Sequence, residues 1–398
     1  MTWPTNPSSR TKFTTGQRKL GEVCEIISPG IKKFEGIKKY VATADVDFDK
    51  IVNFSEITYS NRPSRANMET KENDALVARM AETKKFLVVS KELQNNYIFS
   101  TGFAVLRTKK DLLPKCLFYF LTTKDFNLQK NKLAVGATQK AINNPALKRI
   151  KIPILPLPIQ QKIVERLDAI KKAQELNDKQ IALADELFQS LLHRELDSRG
   201  KNWEVRALGD LFEITSSKRV FESEWKKQGI PFYRAREIVS LVNNQALRAP
   251  IFISEQMFRE YSKKYGAPKE GDILVTGVGT IGISYLVKKN DKLYFKDGNI
   301  IWLKRTSKSN IISEFVEYFF QTPFFKRQIN IMSAGATVLT YTIQNAKRTK
   351  IPLPPIKTQR KIVEKLSSVQ EYKKKLLEQK QKLQELFDSV LNKSFKEN

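Results

Sequence analysis

The polar and apolar positions of this chain fall into two kinds of segment. Over 159–196 and 356–396 no Pro or Gly interrupts the run, and a largely apolar position returns every seven residues. It is occupied by Ile163, Ile170, Asn177, Ala184 and Leu191 in the first run, and by Ile362, Val369, Leu376, Leu383 and Val390 in the second. That spacing is a coiled-coil seam, and Pro158 and Pro355 stand near the start of each run, where a proline is tolerated. Each run predicts one helix about 57 Å long at the α-helical rise. Packed together the two helices make a rigid strut, with Asn177 as a register-setting polar residue; packed separately, each lies on the surface of its own neighbour.

The rest of the chain alternates at shorter range. Lys85-Phe86-Leu87-Val88-Val89, Thr101–Leu106, Asp272–Thr276, Ile283–Val287 and Asn299–Leu303 read as strands, separated by turns rich in Gly, Asn and Pro. Helical patterning is confined to Leu117–Lys124 and Ser313–Gln321. The expectation is an α+β module with a twisted sheet, occurring twice. It divides the chain into a Ser/Thr/Pro-rich arm (1–17), a first module (18–157), a long helix (158–198), a second module (199–354) and a second long helix (355–398).

An internal repeat supports that division. Gly136-Ala137-Thr138, Lys148-Arg149, Lys151-Ile152-Pro153 and Pro156 return as Gly335-Ala336-Thr337, Lys347-Arg348, Lys350-Ile351-Pro352 and Pro355, a constant shift of 199. The same shift carries Gln160, Lys162-Ile163-Val164-Glu165 and Glu186-Leu187-Phe188 onto Gln359, Lys361-Ile362-Val363-Glu364 and Glu385-Leu386-Phe387. Upstream the likeness is weaker but collinear, with Leu20-Gly21-Glu22 matching Leu208-Gly209-Asp210. The chain is a duplication in which the helices are constant and the modules have diverged.

Charge narrows the partner. The 398 residues carry 70 Lys+Arg against 42 Asp+Glu, a net charge of +28. Residues 1–200 hold 34 basic and 22 acidic side chains and residues 201–398 hold 36 and 20, so the halves stand at +12 and +16. An excess divided evenly between both copies points to a polyanion met by each, nucleic acid first and an anionic membrane second. No apolar run approaches the roughly 18 residues of a membrane span. Two cysteines, Cys24 and Cys116, and one histidine, His193, leave little material for disulfides, zinc sites or triad catalysis, and fit a reducing, cytoplasmic setting.

Three motifs bear on chemistry. Gly277-Val278-Gly279-Thr280-Ile281-Gly282 has the spacing of a dinucleotide fingerprint, but Ile283–Val287 after it alternates like a strand, so a tight hairpin is expected instead of a phosphate site. Asp74, Glu82 and Lys84 resemble a nuclease carboxylate and lysine set, yet the second copy keeps only Asp272, and a solvated loop is the simpler reading. No phosphate-cradling lysine loop is present, and His193 reads as a surface residue. No metal or other cofactor is expected.

The basic residues of interest lie in module loops together with polar hydrogen-bonding side chains. They are Arg79, Thr83, Lys84, Lys85, Ser100, Thr101, Gln139 and Lys140 in the first copy. In the second they are Arg234, Arg236, Thr276, Thr280, Lys296, Asn299, Thr340 and Tyr341. Lys and Arg on phosphates position a protein on DNA, while Arg, Asn, Gln and Thr on base edges specify sequence, so such mixed loops suit groove reading.

The whole arrangement resembles the specificity subunit of type I restriction-modification systems. The resemblance rests on two modules opening with Leu-Gly-Glu/Asp, each closed by Lys-Ile-Pro-x-x-Pro (Lys151 to Pro156, Lys350 to Pro355) and followed by Gln-x-Lys-Ile-Val-Glu and a long helix. It implies two target-recognition domains, each reading one half of a split double-stranded DNA sequence, joined by an antiparallel coiled coil. It further implies a non-catalytic subunit that holds two methyltransferase subunits and is joined by a restriction subunit. The competing class is a DNA-acting enzyme, either a nuclease using Asp74, Glu82 and Lys84 or the specificity part of a fused methyltransferase. A coiled-coil scaffold without DNA contact is a third reading.

Overall fold

The computed structural model of the chain describes residues 16–243, 245–306, 310–332 and 339–395. The repeat segment Gly335-Ala336-Thr337 and most of the 1–17 arm lie outside them. Two units emerge: residues up to Asp178 together with those from Glu378 onward, and Lys179–Leu377.

In the first unit a four-stranded antiparallel sheet runs Cys24–Ile27, Phe103–Thr108, Ala75–Ala78, Phe86–Val88. Its strands are near-continuous apolar runs because both faces are covered. Alternate residues of one strand point to opposite sides: Ala75, Val77, Ala104 and Leu106 enter a core with the helix Pro114–Thr122, whereas Leu76, Ala78, Phe103 and Val105 enter one with Val41, Met68 and Phe99. The latter residues belong to a second sheet, ordered Ser55–Ile57, Lys38–Val41, Tyr97–Ser100, Ala66–Met68, in which the strands Lys38–Val41 and Tyr97–Ser100 are parallel.

The second unit repeats the plan. Its main sheet runs Phe212–Thr215, Ile300–Arg305, Ile273–Thr276, Ser284–Leu286, and a smaller one runs Ile251–Ile253, Ile230–Tyr233, Tyr294–Phe295. Ile273, Val275, Ile301 and Leu303 face the helix Ser313–Phe320, and Leu274, Ile300 and Trp302 face Phe295. The expected strands are all present with shifted ends. Helices, however, are more numerous than the apolar pattern implied: Lys91–Asn96, Lys124–Leu133, Ala235–Val242, Glu255–Tyr265 and Pro323–Met332 occur outside the two expected places. Most of these are polar on their outer face, and their N-caps Ser90, Thr123 and Ser254 each accept from the amide three residues on.

Each module is closed by the motifs that repeat. Gly16–Lys19 pairs antiparallel with Lys151–Ile154, and Glu204–Ala207 pairs with Lys350–Leu353. The Leu20 amide donates to the Ile150 carbonyl and the Leu208 amide to the Thr349 carbonyl. A Cβ on Gly21 would come within 3.0 Å of the Lys148 Cβ, and one on Gly209 within 3.0 Å of the Lys347 carbonyl oxygen. The Leu-Gly-Glu/Asp and Lys-Ile-Pro motifs are thus two sides of one contact, and glycine allows the close approach without displacing its neighbour.

The long helices span Leu157–Leu196 and Ile356–Phe395. Each unit holds the start of one and the end of the other, antiparallel. In the first, Ile163, Val164 and Leu167 share a core with Leu391 and Phe395. In the second, Ile362 and Leu366 share one with Phe188, Leu192 and Leu196. Of the seam positions, Ile163, Ile170, Asn177, Ala184, Ile362 and Leu376 are buried and Leu191, Val369, Leu383 and Val390 half-buried. The seam does more than pair helices: Phe387 and Phe395 lie edge-on or tilted against Tyr119 and Phe120, and Phe188 against Tyr318. Among the described residues no helix is long and apolar enough to cross a membrane.

Candidate nucleic-acid interface

In the first module three connections meet at one end of the main sheet. The 79–85 turn links Ala75–Ala78 to Phe86–Val88, and Thr101-Gly102 leads from the second sheet into Phe103–Thr108. Residues 135–141 cross beside them through the Met80 to Ala141 bridge. The Arg79 amide donates to the Gly102 carbonyl (2.9 Å) and the Ala81 amide to the Lys140 carbonyl (2.8 Å). Arg79, Thr83, Lys84, Lys85, Thr101, Gln139 and Lys140, scattered over some sixty positions of sequence, therefore share one edge.

Their side chains are not equivalent. Lys84, Gln139 and Lys140 are exposed. Lys85 Nζ donates to the Thr43 carbonyl at 2.7 Å. Arg79 turns inward: its Nε donates to the Phe103 carbonyl and its Nη1 to the Ile142 carbonyl, and burial lowers its pKa. Ser100, expected at the surface, is 3% exposed, and its hydroxyl accepts the Gly102 amide to shape the turn.

The second module assembles its loops at the corresponding end. The 277–283 turn joins Ile273–Thr276 to Ser284–Leu286 as a hairpin, so the glycines serve a turn, as the alternation after them implied. The Gly277 amide donates to the Asn299 carbonyl and its own carbonyl accepts the Tyr341 amide. A Cβ there would sit 2.6 Å from the Tyr341 oxygen. Lys296 lies in the adjoining turn, its amide on the Tyr233 carbonyl, directly before Arg234.

Two expected contacts are corrected here. Thr276 is fully buried, its hydroxyl donating to the Thr280 carbonyl and accepting the Ile283 amide. Tyr341 is 2% exposed, packed on Phe325 with its hydroxyl on Thr349. Both are internal to the fold because a hairpin at a sheet end needs its polar backbone satisfied from within. Thr280 is exposed, whereas Asn299 and Thr340 are half-buried.

Sequence reasoning passed over Glu237. It is 3% exposed and accepts from Arg234 Nε and Nη2 and from Arg236 Nε at 2.6–3.0 Å. Burial opposes its charge, but the two guanidiniums prevail and hold its carboxyl below the usual range. Arg234 is further covered by the Trp225 ring, 5.6 Å away. Glu237 at the third position of the helix Ala235–Val242 also accepts the Arg234 amide, a capping pattern visible in Arg-x-x-Glu. Arg236 stays 63% exposed and presents its remaining donors outward.

The nuclease set does not assemble. Asp74 precedes the strand Ala75–Ala78 and Glu82 follows it, at opposite ends. Asp74 is bound to Arg107 through both oxygens, and among the described residues no cluster of three His, Cys, Asp or Glu is placed to hold a metal. Burial pushes the Cys24 and Cys116 thiols up to about 12, which makes them inert.

Two α+β modules with candidate loops at matching sheet ends, each packed on paired long helices, define a duplicated two-module protein. The family model for the type I restriction modification DNA specificity domain matches residues 14–184 and again 200–386, and the chain belongs to that family. A Haemophilus influenzae protein assigned as a type I restriction enzyme specificity subunit is 28% identical over 319 residues, 76% of this chain and 77% of that one. The type I restriction enzyme MjaVIII specificity subunit of Methanocaldococcus jannaschii is 24% identical over 74% of this chain and 73% of its own. Among solved structures, a chain from a study of complex assembly in the type I R-M system superposes with TM-score 0.64 at 21% identity, covering 96% of this chain and 97% of that one. The S subunit from M. genitalium gives 0.58 at 16%, covering 98% and 99%. The role is DNA sequence specificity within a type I restriction-modification system.

Proposed function

We propose that the chain reads a split, asymmetric duplex sequence, one half per module, without catalysing a reaction itself. The target-recognition domains are 18–157 and 199–354, and the helices after each are spacers. Two methyltransferase subunits and a restriction subunit complete the assembly, in the cytoplasm where its DNA target lies. The reading surface of the first module comprises Lys84, Lys85, Thr101, Gln139 and Lys140 on the frame set by Arg79. That of the second comprises Arg234, Arg236, Thr280, Lys296 and Asn299.

One observation carries this reading. The same end of the same sheet bears the basic loops in both modules, yet the turn there is Arg79–Lys85 in one and Gly277–Ile283 in the other. A shared frame with unlike tips is what two readers of unlike half-sites require, since base edges are distinguished by individual donors and acceptors. Selection of bound duplexes from a random pool, with the methyltransferase subunits of its own system present, should return two short unlike consensus blocks at a fixed separation. A single continuous consensus, or none, overturns the proposal.

A further inference from the structure

The helix Lys124–Leu133 carries three consecutive side chains with different tasks. Gln129 grips the closing strand, its Nε2 donating to the Lys151 carbonyl (3.0 Å) and its Oε1 accepting the Lys151 amide (2.9 Å). Gln328, one repeat later, does the same to Lys350. The next residue breaks the repeat: Lys130 is wholly buried, whereas Ile329 stands in its place.

Among the described residues Lys130 meets no carboxylate. Its Nζ donates to the Thr83 carbonyl at 2.6 Å and lies 3.4 Å from the Ala78 carbonyl, so it joins the two arms of the 79–85 turn. Asn131 adds a second hold, its Oδ1 accepting the Glu82 amide at 2.9 Å. Glu82 itself lies at φ +61°, a left-handed conformation costly for a residue with a Cβ. A buried ammonium held by carbonyls without a counter-charge is expensive, and a strained turn does not persist by itself. Both features are accounted for if the turn's shape is imposed from the helix.

The second module meets the same need differently. Its 277–283 turn places Gly279 and Gly282 at φ +70° and +75°, and Thr276 bonds across its base. Ile329 only fills the space under Gly282, 3.0 Å from where a Cβ would lie.

We infer that Lys130 and Asn131 are positioning residues for DNA specificity, a clamp that sets the Glu82-Thr83-Lys84-Lys85 tip and thereby governs reading by the first module alone. The inference rests on the assignment of that tip to DNA reading. Neither side chain reaches the DNA; each acts through the backbone of the turn. Lys130→Met keeps the stem and removes the donors, and Asn131→Leu removes the acceptor at a half-buried site.

Two measurements on the full chain test this. Amide hydrogen exchange without DNA should rise about tenfold or more for residues 79–85 in each variant and stay unchanged for 277–283, as the loss of one to two hydrogen bonds predicts. Binding with methyltransferase present, to duplexes substituted singly in each half-site, should show about tenfold loss of base discrimination in one half and none in the other. Unchanged exchange in the 79–85 turn overturns the clamp. Faster exchange with intact discrimination overturns its role in specificity, and equal loss in both halves means general unfolding and overturns it too. If the unaltered chain selects no split sequence, the parent reading fails, while the exchange result still decides the clamp.

Discussion

Gln160 Oε1 accepts the Leu113 amide at 2.9 Å, and one repeat later Gln359 Oε1 accepts the Ile312 amide at the same distance. Each amide group also donates to carbonyls at the helix threshold, Leu155 and Asp111 for Gln160 and Pro354 for Gln359. Both residues are 1% exposed, so the invariant Gln of the repeat joins the long helix to the loop preceding Pro114–Thr122 or Ser313–Phe320. Gln160→Leu should lower unfolding free energy by about 2–4 kcal/mol, since three part-buried backbone groups, the Leu113 amide and the Asp111 and Leu155 carbonyls, each lose a hydrogen-bond partner. Denaturant titration checks it, and Gln359→Leu should match within about 1 kcal/mol because the surroundings are repeated.

Arg79 and Arg236 carry the same charge in different settings, so their removal should differ in kind. Arg79→Ala strips donors from the Phe103 and Ile142 carbonyls. Stability should fall by about 1–3 kcal/mol with a loss of discrimination in the first half-site. Arg236→Ala leaves Glu237 bonded twice to Arg234. Stability should change by less than about 1 kcal/mol, and weaker binding should map to the second half-site. A uniform loss for every duplex on Arg236→Ala would make it a phosphate contact, with a shallower salt dependence as its signature.

What the sequence made legible and what it hid follow from the kind of signal each residue leaves. Repetition exposed the long helices, the Leu-Gly and Lys-Ile-Pro contacts and Gln160, because those packings recur and were kept in both copies. Strand runs showed because both sheet faces are apolar. The shorter helices escaped although Glu255–Tyr265 does carry an apolar stripe at helical spacing, with Met257, Phe258 and Tyr261 half-buried against the core of the smaller sheet. One stripe over eleven residues set among Lys, Arg and Glu is easily read as a solvated loop. Loop residues were nominated by type alone, and type does not say which way a side chain turns: Tyr341 and Thr276 went inward. Lys130 and Glu237 were missed because a buried charge looks like a surface one in sequence.

Lys130 should also give stability a pH dependence of definite sign. Burial lowers its pKa from 10.5 to about 8. Below about pH 8 the residue is protonated in both folded and unfolded chains and contributes no slope. From there toward 10.5 the unfolded chain holds a proton that the folded chain has released, so stability rises with pH. Cys24 and Cys116 act oppositely above about pH 9, because their folded thiols resist ionisation. The difference between the unaltered chain and Lys130→Met isolates the lysine. It should shift by about 1 kcal/mol in favour of the unaltered chain between pH 8 and 9, read from denaturant midpoints at each pH. A flat difference would mean the ammonium stays charged in its site.

Asn177 offers the reverse case, a polar group held where nothing answers it. The residue is 1% exposed, and among the described residues neither its Nδ2 nor its Oδ1 finds a hydrogen-bond partner. The equivalent position in the second long helix is Leu376, 3% exposed. An unpaired buried amide costs about 1–3 kcal/mol relative to a shape-matched apolar side chain, so Asn177→Leu should raise the unfolding free energy by that order. Polar seam residues are tolerated where they fix register or partner number. If Asn177 has that role, the stabilised variant should also form additional oligomers, visible by light scattering across a concentration series. Stabilisation with an unchanged oligomeric state would leave register to the seam's apolar residues and to ion pairs such as Lys373 with Asp185. A fall in stability would mean that the amide is satisfied in solution by ordered water, and that the seam is wet at its middle.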